Sequence, residues 1–244
     1  MSKDWSKPFW QLYRSSYETI GLISGMSWES TATYYKLINE TIKEELGGLH
    51  SAKIVLYSVD FAEIETYQAT GNWEKSGQVL AEIAKKLEKV GADFIVICTN
   101  TMHKIVDQIQ RDLVIPILHI AEVIAEALLE SGVRKVGLLG TKYTMTQAFY
   151  KDKLVEADLD VLVPSADEIE EVNRMIYDEL CKGETYSKSR ATYLTIIKRL
   201  KQAGAEAVIL GCTEIGLLVQ QDDTEIPLFD TTTVHAVKAA LATL

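Results

Sequence analysis

The chain reads as an α/β protein made from one duplicated unit, and three observations carry that reading. Short apolar, β-branched runs alternate with amphipathic helical stretches along the sequence, the pattern of βαβ units and parallel sheets. Two such runs, Phe94-Ile95-Val96-Ile97 and Ala207-Val208-Ile209-Leu210, lead into cysteines, Cys98 directly and Cys212 after Gly211. Three landmarks then recur in the same order at nearly constant spacing. Thr19-Ile20-Gly21-Leu22 parallels Lys135-Val136-Gly137-Leu138, and Gly91-Ala92-Asp93 parallels Gly204-Ala205-Glu206. Ile115-Pro116-Ile117-Leu118-His119 parallels Ile226-Pro227-Leu228-Phe229-Asp230. One duplication makes a fused pair, not a solenoid array.

The elements follow in order. After a first strand from Thr19, a helix is expected over Glu29–Leu46 and a strand over Lys53–Val59. Ser76–Val90 has apolar residues at Val79, Leu80, Ile83, Ala84, Leu87 and Val90. That is the helical period, and Gly91 supplies the stop. Further helices are expected over Ile120–Ser131, Ala166–Lys182 and Ser187–Ala203, with a strand at Leu159–Val163 and a closing helix at Thr232–Leu244. The predicted fold is two pseudo-symmetric α/β domains, each a parallel sheet flanked by helices. The first takes residues 19–118 plus 226–244, the second residues 119–225, and residues 1–18 form an N-terminal extension. A pseudo-two-fold would bring the ligand-binding edges of the two units face to face, with the two cysteine loops flanking one cleft.

Bulk properties exclude several functions. Of 244 residues, 47% are hydrophobic, and 25 Lys+Arg against 35 Asp+Glu give a net charge of −10. A nucleic-acid footprint needs clustered basic charge, and an anionic membrane surface repels such a chain. No run approaches the roughly 20 apolar residues of a membrane span. The start, MSKDWSKPFWQLYRSSYE, lacks an apolar signal core. Three cysteines, none in a close pair, fit free thiols in a reducing cytoplasm.

Cys98 and Cys212 stand where buried parallel strands end, the edge at which open α/β sheets bind ligands. Two thiols in equivalent places fit one acid/base group on each side of a substrate. Thr99, Asn100, Thr101 and Thr213 beside them offer hydroxyls, an amide and backbone N–H groups for a carboxylate, and they equally suit helix caps. If helices start just after these loops, their N-termini favour the same anion. Cys181, in Glu179-Leu180-Cys181-Lys182, reads as a small buried hydrophobe.

Gly25-Met26-Ser27-Trp28-Glu29-Ser30-Thr31, Cys98-Thr99-Asn100-Thr101-Met102-His103 and Gly211-Cys212-Thr213-Glu214-Ile215-Gly216 together resemble the aspartate/glutamate racemase family. The likeness is greatest to its bacterial amino-acid racemases acting on L-aspartate and L-glutamate or on a broader set. The resemblance implies a cofactor-independent, metal-free enzyme that interconverts L- and D-amino acids, in a homodimer. Cys98 and Cys212 would be the two proton stations, one thiolate and one thiol, exchanging roles with direction. It also places Met26 and Ser27 near the substrate, Gln68 over its side-chain end, and Lys142 as a partner for a distal carboxylate. The same loops read without it leave Gln68 as a solvent-facing helix residue and Lys142 as an exposed lysine.

There is one departure. Where some aspartate racemases carry an arginine, this chain has Asp60-Phe61. The bidentate guanidinium for a side-chain carboxylate is missing there, which leaves room for neutral or longer amino acids. His103 and His119 read as structural. Asp60 and Glu214 are placed to orient or deprotonate thiols, and Glu214 also suits the start of a helix. Rival readings are a hydantoin racemase, a maleate isomerase or a malonate decarboxylase on the same scaffold, a carboxylate-binding protein without catalysis, or a redox pair closing a disulfide across the cleft.

Overall fold

The computed structural model describes residues 17–244, so most of the expected N-terminal extension lies outside the described residues. Two four-stranded parallel sheets form the frame. The first contains β1 (Thr19–Ser24), β2 (Lys53–Ser58), β3 (Phe94–Ile97) and β4 (Ile117–Leu118) in the order β2-β1-β3-β4. The second contains β5 (Lys135–Gly140), β6 (Asp160–Leu162), β7 (Ala207–Gly211) and β8 (Leu228–Asp230) in the order β6-β5-β7-β8. The same order in both halves is the structural form of the sequence repeat.

Helices link the strands. They are α1 (Trp28–Leu46), α2 (Phe61–Ala69), α3 (Trp73–Lys89), α4 (Val106–Gln110) and α5 (Ile120–Glu130) up to β5. Beyond it come α6 (Lys142–Thr146), α7 (Ala148–Glu156), α8 (Ala166–Asp178), α9 (Ser187–Gln202), α10 (Ile215–Leu218) and α11 (Thr231–Leu241). β3 and β7 are buried along their whole length, as central strands covered on both faces must be. α3 turns Leu80, Ile83, Ala84 and Leu87 inward onto Ile23, Ile95 and Ile97.

The two halves exchange their last helices. α5 follows β4 of the first sheet, yet Ile120, Ala121, Ile124 and Leu128 lie in the core of the second half with Val136, Leu138 and Tyr150. α11 follows β8 of the second sheet, yet Ala236, Ala239 and Ala240 pack with Ile20, Leu22, Tyr34 and Ile38 of the first. Alanines on α11 let it lie close against α1, where larger residues would hold it off.

Two expectations need correction. The chain does not return to the first half at residue 226, because β8 pairs in parallel with β7, with Ile209 opposite Phe229; only α11 crosses over. The helix expected over Ala166–Lys182 stops at Asp178. Glu179 leaves helical geometry, and a 3-10 turn, Leu180–Lys182, ends at Gly183 with φ 73. The Glu179 carboxylate holds the break open by accepting hydrogen bonds from Arg174 Nη1 at 3.1 Å and Ser189 Oγ at 2.5 Å.

Candidate active site

Equivalent loops at the carboxyl ends of the two sheets face each other. The β1–α1 turn passes through Gly25, whose φ of 93 and tight approach to the Val59 backbone exclude a side chain. Ser27 then caps α1, its Oγ accepting from Ser30 N at 3.3 Å. In the second half Thr141 caps α6 from the corresponding place after β5. Cys98 and Cys212 follow β3 and β7.

Hydrogen bonds sew these loops together across the halves. Ser27 Oγ donates to Glu214 Oε1 at 2.6 Å. Thr101 Oγ1 and Thr141 Oγ1 lie 3.2 Å apart. Asn100 Nδ2 donates to Thr231 Oγ1 at 3.0 Å, and Thr231 donates on to Leu210 O at 2.9 Å. At the rim, Tyr143 OH donates to Gln68 O at 3.4 Å, and its ring meets Trp73 edge-on with centroids 5.2 Å apart.

Glu214 is the electrostatic centre. Besides Ser27 it receives the Cys212 thiol, with Sγ 3.0 Å from Oε2, and the Thr213 hydroxyl at 2.9 Å from the same oxygen. Burial pushes the Cys212 thiol well up, and the neighbouring Glu214 charge pushes it further. Burial alone pushes the Cys98 thiol up. Burial thus favours the neutral form of each thiol, and the Cys212 thiol donates its hydrogen bond to the Glu214 carboxylate.

These loops line a narrow cleft between the halves. Of the residues expected at the site, Met26, Gln68, Thr99, Asn100, Thr101, Cys212 and Thr213 line it. Ser27 joins it through Glu214. Cys98 is 1% exposed and faces Ile20, Leu22, Tyr34 and Ala236, next to the three lining residues that follow it. Lys142 lies outside the lining, on an adjoining cavity with Tyr143 and Asn173, and its ammonium pairs with Glu170. Asn100 is 2% exposed, and its Oδ1 has no hydrogen-bond partner.

The structure adds lining residues that the sequence reading did not single out: Thr141, Ile176, Tyr177 and Cys181, with Phe61 beside them. The break after α8 is what turns Cys181 into the wall, and burial pushes its thiol up to about 12. The expected helix N-termini behind the cysteine loops are short. Cys98 is followed by a 3-10 turn, Thr101–Ile105, and Cys212 by the four-residue α10. The anion-binding donors there are local hydroxyls, amides and N–H groups rather than a macrodipole. His103 and His119 have structural partners. His103 Nδ1 donates to Thr99 O at 2.9 Å while Nε2 accepts from Ile120 N, and His119 caps α5 through Ala121 N. Asp60 caps α2 through Ala62 N.

The family model for Asp/Glu/Hydantoin racemase matches residues 23–239. The broad specificity amino-acid racemase RacX of Bacillus subtilis (strain 168) is 23% identical over 219 residues, covering 86% of this chain and 92% of its own length. Among solved structures, a candidate Asp/Glu racemase from Yersinia pestis is 49% identical with a TM-score of 0.87, over 93% of this chain and 100% of its own. An aspartate racemase homologue from Pyrococcus horikoshii OT3 is 39% identical with a TM-score of 0.80, over 93% and 100%. The chain thus belongs to the Asp/Glu/hydantoin racemase family and is an isomerase, an amino-acid racemase.

Proposed function

We propose that the protein interconverts L- and D-amino acids by a two-thiol proton relay between Cys212, which lines the cleft, and Cys98, which lies directly behind the lining residues Thr99, Asn100 and Thr101. The observation that carries the reading is the cross-cleft set in which the Cys212 thiol donates to a carboxylate that Ser27 of the other half also engages. In one direction Glu214 takes the Cys212 proton. The thiolate removes the proton from Cα, so the Cα–H bond breaks and S–H forms. The Cys98 thiol gives its proton to the other face of Cα and becomes the thiolate. The reverse direction runs the same steps backwards.

The negative charge that develops on the substrate carboxylate needs fixed donors. The Thr99 and Thr101 hydroxyls and the backbone N–H of Thr213 supply them at the wall. The unpartnered Asn100 Oδ1 suits the α-ammonium, whose N–H groups need acceptors out of water. Met26 and Gln68 close the sides. A buried thiol is a poor acid in the empty site, and a bound ammonium beside it favours the thiolate. The resemblance adds a homodimer to the proposal, which light scattering checks.

The test is incubation with a panel of amino acids in deuterated water. Proton NMR follows loss of the Cα–H signal and chiral chromatography follows the product. Deuterium uptake with formation of the opposite enantiomer is the expected result. A covalent thiol adduct without exchange would replace this reading with isomerase chemistry of the maleate type. Binding of an amino acid without exchange would leave a binding protein.

A further inference from the structure

The side-chain end of the cleft is built without a positive charge. Away from the two cysteine loops the wall is Met26, Phe61 and Gln68 of the first half, and Thr141, Ile176, Tyr177 and Cys181 of the second. No lysine, arginine or histidine lines the cleft among the described residues, and the one charged group that does is Glu214. Lys142 stands on an adjoining cavity that shares Gln68 and Tyr177 with this wall, and its ammonium is paired with Glu170. Lys104 is set over the Trp73 ring, 3.8 Å from its centroid, and is likewise outside the lining.

The charges around the wall are negative. Gln68 is 5% exposed, and its amide donates to Met102 Sδ at 3.0 Å. The charges that act on Cys181 are those of Glu214 and Glu29, and Glu65 acts on Tyr177. A second carboxylate brought here would lose its water, find no cation on the wall and none nearby among the described residues that is not already paired, and face like charges. An unpaired buried carboxylate is among the costliest groups to bury, whereas an apolar side chain gains by displacing water from Phe61, Ile176 and Tyr177.

Resting on the racemase reading above, we infer that this site takes amino acids whose side chain is uncharged and largely apolar, and that Phe61, Ile176, Tyr177 and Cys181 form the subsite that selects them. The inference departs from the acidic substrates that the sequence resemblance favours. It follows from the walls of this cleft alone.

The experiment measures kcat/KM for Cα–H exchange in deuterated water with methionine, leucine, lysine, aspartate and glutamate, on the full chain. Methionine and leucine are expected to lead aspartate and glutamate by at least about tenfold. Aspartate or glutamate equal to or ahead of them overturns the inference while leaving the racemase reading intact, and so does lysine in the lead. Exchange with no amino acid overturns both. Phe61→Arg, checked for folding by circular dichroism, supplies the absent cation at a half-buried position. It is expected to shift the glutamate-to-methionine ratio of kcat/KM at least about tenfold towards glutamate. A folded variant with an unchanged ratio shows that this wall does not meet the side chain, which also overturns the inference.

Discussion

Ser27 of the first half and Glu214 of the second are joined by a hydrogen bond of 2.6 Å, and through Glu214 that bond reaches the Cys212 thiol 3.0 Å away. A residue that caps α1 in one half thus helps fix the proton acceptor of a thiol in the other. Glu214→Gln keeps the shape but cannot take a thiol proton. Its kcat is expected to fall about 10²-fold, within the range for loss of a positioned base. Ser27→Ala leaves the carboxylate in place but less fixed, and a loss of about tenfold is expected. A Gln variant that keeps wild-type kcat would remove Glu214 from proton transfer.

Cys98→Ala and Cys212→Ala each delete one proton station. Both variants are expected to lose racemisation by at least about 10³-fold while keeping the far-ultraviolet circular dichroism of the parent. Near-normal turnover by either would refute the two-thiol relay.

Cys181→Ala trims the wall without touching a proton station. Racemisation should persist with kcat within about threefold, and KM should rise for a neutral substrate by up to about tenfold. A collapse of kcat as deep as that of the Cys98 or Cys212 variant would place Cys181 in the chemistry.

Lys142→Met breaks an ion pair with Glu170 whose two side chains are 51% and 61% exposed. Exposed pairs contribute about 0–1 kcal/mol, so thermal stability should barely move. Kinetics with aspartate, glutamate and methionine should change by less than about twofold in each case. A loss confined to the acidic substrates would return Lys142 to side-chain recognition, as the sequence resemblance had it.

Three buried histidines set the acid limit of stability. His103, His119 and His235 are all held below the ordinary value of 6.5, with burial the first cause, and His235 is lowered to about 4. His235 Nε2 donates to Leu118 O at 3.0 Å and Nδ1 accepts from Tyr34 OH at 2.9 Å, so the neutral ring already uses both nitrogens. The folded state keeps these rings neutral while the unfolded chain takes up protons below about 6.5. Stability is therefore complete above that value and declines as pH falls from it towards about 4. His235→Gln can keep both hydrogen bonds without titrating. Calorimetry should show a smaller drop in Tm between about pH 7 and pH 5 for this variant than for the parent. An equal drop would assign the acid sensitivity elsewhere.

Much of this was legible in the sequence because the signals were local or repeated. The strands ending in Cys98 and Cys212 announced themselves as unbroken apolar runs, and Ile115-Pro116 against Ile226-Pro227 revealed the duplication. Placing the exchange of chain between halves needed strand pairing, and Leu228-Phe229-Asp230 is too short a run to show which sheet it joins. Cys181 misled for a similar reason. A helix pattern continues through it, and only the Glu179 bonds to Arg174 and Ser189, residues on two different helices, reveal the break. The side-chain wall was hidden because Phe61, Ile176 and Tyr177 look like ordinary core residues until two separate helices bring them to one cleft.

The exchange of terminal helices has a consequence for synthesis. A protein of two successive domains usually folds the first while the second is still being made. Here Ile20, Leu22 and Tyr34 are covered by Ala236, Ala239 and Ala240, which are made after the second sheet. The nascent first half cannot finish its core on its own, so the two halves mature together.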